Sequence, residues 1–172
     1  ARARTAESGL PLVYVNLVGG QDELVFDGGT FIIDRNGDTL VQAAAWESVT
    51  VASNWRAQAG GGWDCEPGTV DEPAAGPEAI YRALITGLGD YVGKNAFAGV
   101  LIGLSGGIDS ALTAAVAVDA LGAAKVHCVM MPSPYTSPES LEDAAETARL
   151  LGVWLDSISI TKAMNAFDEM LS

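Results

Sequence analysis

With 172 residues the chain has room for one domain or two small ones, and 49% hydrophobic against 18% charged residues excludes a disordered segment. Nine Lys+Arg against 22 Asp+Glu give a net charge of −13, which disfavours nonspecific binding to nucleic acid or an anionic membrane. No stretch reaches the ~18 consecutive apolar residues of a membrane-spanning helix, and Cys65 and Cys128 are too few and too ill-spaced for a disulfide framework or a zinc cluster. A local nest of backbone amides can still bind a small polyanion such as ATP.

Up to about residue 57 the pattern is strands and tight turns. Leu12–Leu17 and Leu24–Phe26 are strand-like runs, the second followed by Asp27-Gly28-Gly29. Thr30–Ile33 and Thr39–Val41 flank Asp34–Asp38, where Asn36-Gly37 predicts a hairpin turn with positive φ at both central residues. Residues 58–75, with Gly60-Gly61-Gly62, Pro67, Gly68 and Pro73, read as a linker.

Beyond the linker, helices and strands alternate. Pro77 suits the first position of a helix whose Ile80, Tyr81, Leu84, Ile85, Leu88, Tyr91 and Val92 recur at helical spacing. Gly99–Leu104 is a short apolar strand, Ser105–Ser110 a turn, and an Ala-rich helix runs to about Leu121. Val126–Met131 is a second strand, containing Cys128 as a buried, inert thiol. Ser137 caps the next helix, with Pro138 at its first position and an end near Gly152. Val153–Ile160 is a third strand, and Thr161 caps a last amphipathic helix bearing Met164, Phe167 and Met170. Strands separated by helices of this length predict βαβ units, a parallel sheet and an α/β fold.

The sharpest feature is Ser105-Gly106-Gly107-Ile108-Asp109-Ser110, directly after a strand and directly before a helix. In open α/β sheets ligands bind just beyond the carboxyl ends of strands. Gly106 and Gly107 let backbone amides approach an anion, the helix adds its positive end, and Ser105 and Ser110 offer hydroxyl donors. Asp109 would repel phosphates unless a Mg²⁺ lies between them, and Mg²⁺ takes one or two carboxylates plus phosphate oxygens. The inference is a Mg²⁺-pyrophosphate cradle; the competing reading is a Gly-Gly turn with Asp109 capping the helix. The Lys-Ser/Thr ending of the Walker A pattern is absent.

SGGIDS resembles the S-G-G-x-D-S loop of the ATP pyrophosphatases, and VMMPSPYTSPESLEDA (Val129–Ala144) resembles the NAD synthetases in particular. GLPLVYVNLVGGQDELVFDGGTF (Gly9–Phe31) resembles the late strands of the nitrilase-type glutaminase domain fused to glutamine-dependent NAD synthetases. The resemblance implies three parts: residues 1–57 as the late β-strands of a nitrilase-type α/β sandwich, 58–75 as linker, and 76–172 as a partial doubly wound parallel sheet of the adenine nucleotide alpha hydrolase kind.

It also implies an activity, in which MgATP adenylates the nicotinate carboxylate of deamido-NAD⁺ and ammonia made from glutamine displaces AMP. Ser105, Gly106, Gly107, Ile108, Asp109, Ser110, Ala111 and Leu112 would then hold the ATP pyrophosphate, with Asp109 on Mg²⁺. Met131, Thr136 and Ser137 would lie near the adenosine, with plain core as the alternative for Met131. Gln21, Asp22 and Glu23 would line the glutaminase site, with a polar hairpin turn as the alternative. No catalytic residue is expected within the chain itself, since the glutaminase cysteine is expected upstream of Ala1; Cys65, in a loop without a nearby lysine, is a bystander. His127 reads as a histidine with a satisfied hydrogen bond at a sheet edge, and the acidic residues of Glu139–Glu146 as a solvated helix face. The chain then reads as an interior piece of a longer cytoplasmic homo-oligomer, with weak or no ATP binding and no full turnover by itself. The competing readings are another ATP pyrophosphatase (tRNA-thiolating or GMP synthetase type), a non-catalytic adenine-nucleotide-binding module, and a stand-alone nitrilase-type amidase.

Overall fold

Short apolar runs broken by Gly and Asx residues give the first part of the chain short strands, whereas the helical spacing beyond Pro77 gives long helices. The structure, a computed structural model, describes residues 1–171; Ser172, the last residue of the expected third part, lies outside the described residues. The chain divides into two units, Ala1–Gly87 and Leu88–Ser172.

The first unit contains α1 (Arg2–Ser8), β1 (Leu12–Tyr14), β2 (Val18–Gln21), β3 (Leu24–Asp27), β4 (Phe31–Ile33), β5 (Thr39–Gln42), β6 (Trp55–Ala57), β7 (Trp63–Cys65) and the start of α2 (Pro77–Lys94). β1, β4 and β5 form an antiparallel sheet in the order β1-β4-β5, and β2-β3 and β6-β7 are separate hairpins. Ile32, Val41 and Cys65 are buried together, with Leu40 and Trp55 packed against them. Each fully buried aliphatic side chain of this kind stabilises the fold by roughly 1.5–3 kcal/mol.

Several expectations change here. The run Leu12–Leu17 stops as a strand at Tyr14, because the Asn16 side chain binds the Leu17 amide (3.1 Å) and Asp27 Oδ1 (3.1 Å) and turns the chain. The hairpin at Asn36-Gly37 is present, but only Gly37 has positive φ (89°). Asp34 is the reason: its Oδ1 accepts the Asn36 and Asp38 amides, both at 2.8 Å, and so organises a longer loop with a register shift at Ile32/Ile33. The stretch 58–75, expected as a linker, carries β7 and the buried Cys65, and its residues 68–71 run beside β5 through Gln42 N–H to Thr69 C=O and Asp71 N–H to Gln42 C=O. α1 is a further element that the sequence reading lacked.

The hydrogen bond to the Asp38 amide, foremost, holds the Asp34 carboxyl below its ordinary value. A depressed carboxyl contributes stability that is present above its unfolded value and lost as pH falls through the folded one. Asp34→Ala is therefore expected to lower the melting temperature of the first unit at pH 7 and to have a smaller effect near pH 2. Thermal scans at both values check this, and equal shifts at the two values would count against it.

The second unit contains the rest of α2, β8 (Val100–Gly103), α3 (Ile108–Leu121), β9 (Val126–Met130), α4 (Pro138–Leu151), β10 (Trp154–Ser157) and α5 (Thr161–Leu171). The three strands form a parallel sheet in the order β10-β9-β8, with Val100 opposite Val126 and Trp154 opposite His127. Leu104, Ala114, Ala117, Val126, Cys128, Ala144 and Ala148 make the core. The alanines let α3 and α4 lie close on one face of the sheet, where a larger side chain would hold them off. α4 begins and ends as its sequence signals require, with Ser137 as N-cap, Pro138 at the first turn and Gly152 (φ 68°) as C-cap.

β8 is half-buried on one face, through Val100 and Ile102, and open on the other, where Leu101 is 71% exposed. β10 ends at Ser157, although Ile158 and Ile160 still donate to the Met130 and Pro132 carbonyls. Thr161 is the first residue of α5 rather than its cap, and Ser159 Oγ accepts the Thr161 amide at 3.3 Å. Of the apolar residues of α2, Val92 is buried while Ile80, Leu84 and Tyr91 are exposed. Among the described residues no helix is long and apolar enough to cross a membrane.

Candidate functional site

The loop after β8 is closed by its two serines. Ser105 N–H donates to Ser110 Oγ (3.1 Å), the two serine hydroxyls lie 3.0 Å apart, Ser110 Oγ–H donates to the Gly107 carbonyl (2.9 Å), and Gly107 N–H donates to Ser105 Oγ (3.3 Å). A hydroxyl has one proton. With that of Ser110 on Gly107, Ser105 is the donor between the hydroxyls, and both protons are used inside the loop. In this geometry the two hydroxyls expected as donors to phosphate brace the turn.

The donors that remain are amides. α3 starts at Ile108 with Gly107 as its N-cap (φ −85°, ψ 157°), and no side chain among the described residues caps it. The amides of Ile108, Asp109 and Ser110 have no carbonyl of their own helix to meet, and the first helical bond is Ala111 N–H to Gly107 C=O (3.1 Å). An uncapped helix start of this kind suits an anion, because free N–H groups and the positive end of the helix dipole coincide. Asp109 is not the cap either. Its side chain is exposed and without a hydrogen-bond partner among the described residues, and only its backbone carbonyl is used, by Thr113 Oγ1 (2.8 Å). Ile108 and Leu112 stand exposed one turn apart beside it.

Gly106 has φ 82°, and a Cβ there would fall 2.2 Å from the backbone oxygen of Ser140. Its glycine identity is thus required by the seat of the loop on the first turn of α4. Gly107 has ordinary φ, and a Cβ there would meet only Ser105 Oγ at 3.4 Å. Ser140 is the residue that sequence reasoning missed; it acts through its backbone, and nothing in its side chain could have announced it.

Among the described residues no group of three or more His, Cys, Asp or Glu could hold a metal ion. Asp109 is a single hard oxygen donor beside free amides. That set fits a Mg²⁺ taking its other ligands from phosphate oxygens and water, and does not fit a metal held by protein alone.

The turn after β9 uses its hydroxyls locally. Thr136 Oγ1 accepts the Ser133 amide (2.9 Å), and Ser137 Oγ accepts the Ser140 amide (3.2 Å). Met131 is exposed, and its Cε would lie 3.5 Å from a Cβ at Gly103, so it borders the end of β8 rather than filling the core.

The other candidates separate from this loop. Gln21, Asp22 and Glu23 form the exposed tip of the β2-β3 hairpin, with Gln21 Nε2 on Asp22 Oδ2 (3.2 Å). A cleft of about 490 Å³ in the first unit, lined by Trp46, Glu47, Asp71, Glu72, Glu78 and Arg82 among others, includes none of them. His127 lies on the central strand, not at a sheet edge, and its Nε2 is 2.9 Å from Asp156 Oδ2. Cys65 and Cys128 are buried, and burial raises both thiols above their ordinary value, so neither is an activated nucleophile. The acidic face of α4 is solvated, with Glu146 paired to Arg149 at 2.6 Å.

Comparison with known proteins covers both units. Residues 1–59 match the carbon-nitrogen hydrolase family and residues 80–172 the NAD synthase family. The chain is 50% identical over 165 residues to the glutamine-dependent NAD(+) synthetase of Rhodobacter capsulatus, covering 92% of this chain and 28% of that protein. It is 44% identical over 160 residues to that of Acinetobacter baylyi, covering 93% and 29%. The solved glutamine-dependent NAD+ synthetase of Acinetobacter baumannii in complex with ADP superposes with a TM-score of 0.90 at 40% identity, covering 99% of this chain and 32% of that one. The chain thus spans about 30% of the length of these relatives. The NAD synthase match takes in more than half of the residues and contains the whole Ser105–Ser110 loop, and on that basis the chain belongs to the NAD synthase family.

Proposed function

We propose that this chain serves the glutamine-dependent amidation of deamido-NAD⁺ to NAD⁺, in the cytoplasm and within a homo-oligomer. Residues 1–57 belong to an ammonia-producing amidase, 58–75 join the two activities, and 76–172 carry the ATP site. The observation that carries the reading is the uncapped start of α3 behind a serine-braced Gly-Gly turn, in a chain of this family.

In the proposed reaction a carboxylate oxygen of deamido-NAD⁺ attacks the α-phosphorus of ATP, and the bond to pyrophosphate breaks. Ammonia then attacks the acyl carbon, the bond to AMP breaks, and a proton leaves the nitrogen. The amides at the head of α3 would bind the pyrophosphate and stabilise the charge it gains on leaving. Fixed donors of this kind are worth about 10²–10³ in rate each. Asp109 would hold Mg²⁺, which neutralises phosphate charge. Met131 would border the adenosine, with Thr136 and Ser137 shaping the turn behind it.

The test is the stoichiometry of products from a polypeptide of the relatives' full length that carries this chain. AMP, pyrophosphate and NAD⁺ are expected in equal amounts from MgATP, deamido-NAD⁺ and either glutamine or ammonia. Pyrophosphate release that does not depend on deamido-NAD⁺ would favour an ATP pyrophosphatase for another substrate. Nucleotide binding indifferent to Mg²⁺ and without turnover would favour a non-catalytic module.

A further inference from the structure

We propose that Ser137 is a positioning residue for the phosphate loop, acting through the first turn of α4 rather than by contact with the nucleotide; this rests on the function proposed above. Three links make the path. Ser137, in extended conformation (φ −70°, ψ 150°), accepts the Ser140 amide on its Oγ at 3.2 Å and so fixes the first turn of the helix. The Ser140 carbonyl in that turn is the surface on which Gly106 rests, since a Cβ at Gly106 would lie 2.2 Å from its oxygen and 2.8 Å from its carbon. Gly106 in turn stands between Ser105 and Gly107, whose amides are both tied into the serine brace.

The loop therefore has two supports. One is internal, the serine pair; the other is external, the α4 backbone. Removing the cap frees the turn that carries the Ser140 carbonyl, and the external support loosens while the serine pair stays. The Ser137 side chain is already engaged within its own turn. The Glu139 carboxyl is held below its ordinary value by its own amide first and by the Ser137 hydroxyl second.

Amide hydrogen exchange measured by NMR tests the path on this chain without any nucleotide, so the result does not depend on whether the chain binds ATP. Ser137→Ala is expected to speed exchange of the Ser105 and Gly107 amides about five-fold, the equivalent of a lost N-cap. Ser137→Asp, which caps a helix equally well but is no hydroxyl donor, is expected to return both rates to within about two-fold of the parent. The Cys128 amide, in the buried centre of the sheet, is expected to stay unchanged in both variants. Loop rates unaffected by Ser137→Ala, an Asp variant as fast as the Ala variant, or equal acceleration at Cys128 would each overturn the proposal. In a polypeptide of the relatives' length, Ser137→Ala is expected to raise the KM for ATP about five-fold and Ser137→Asp to restore it. A hydroxyl that touches the nucleotide would instead leave the Asp variant as defective as the Ala one, which also overturns it. If the parent polypeptide has no ATP-dependent activity, the proposed function fails while the exchange result stands by itself.

Discussion

Gly106→Ala is expected to destabilise the second unit by about 2–4 kcal/mol, the sum of a left-handed backbone at a non-glycine residue and a forced backbone shift. Both terms come from one position: φ is 82°, and the added methyl would sit 2.2 Å from the Ser140 oxygen, where no flexible side chain can move aside. Gly107→Ala is the control one residue away. Its φ of −85° suits any residue and its nearest obstacle is the Ser105 side chain at 3.4 Å, so a change below about 1 kcal/mol is expected. Urea unfolding followed by a probe in the second unit separates the two. Equal midpoints for both variants would sink the idea that the loop is seated on α4. The comparison matters because two adjacent glycines in one motif invite a single explanation, and the structure gives them different ones.

Asp109→Asn is expected to reduce ATP-dependent NAD⁺ formation by about 10²-fold or more while changing stability by less than about 1 kcal/mol. The small stability effect follows from an exposed side chain with no hydrogen-bond partner among the described residues, in which only the favourable charge at the helix start is lost. The activity effect follows from the proposed role as the protein's ligand to Mg²⁺. Metal-free ATP separates the two roles: a carboxylate repels phosphate, so without Mg²⁺ the Asn variant is expected to bind ATP more tightly than the parent, and with Mg²⁺ more weakly. Titration calorimetry in EDTA and in excess Mg²⁺ measures both. Weaker binding in EDTA would show that Asp109 contributes to the loop and not to a metal.

The second unit was largely legible because its signals are local. Ser137-Pro138 opens α4 and Gly152 closes it; the apolar run before Ser105 and the Ala-rich stretch after Ser110 bracket the turn. What escaped was set by tertiary contact. β6 and β7 are three residues each and hold together through the burial of Cys65 against Ile32 and Val41, which no short window reveals. The Asn36-Gly37 pair marks the place of the turn but not its type, since the Asp34 carboxylate captures the amides that the simpler turn leaves alone. At the site, residue identities gave the loop but not the direction of its hydroxyls. Ser105 and Ser110 carry the same donors whether they face a ligand or each other, and only geometry distinguishes the two. His127 shows the same limit, because its partner Asp156 lies on the next strand and is found only once the register is known.

The sheet ladder continues to Leu104, whose amide donates to the Val129 carbonyl at 2.9 Å, so only Ser105, Gly106 and Gly107 separate the last rung from α3. Three residues, two of them cross-linked through hydroxyls and the third wedged against a helix, have little conformational freedom left to lose. The entropy of aligning the amides is lost when the unit folds and not when an anion arrives. Ligand capture at such a turn is governed by encounter and desolvation, so an association rate that approaches the diffusion limit and falls in proportion to solvent viscosity is expected.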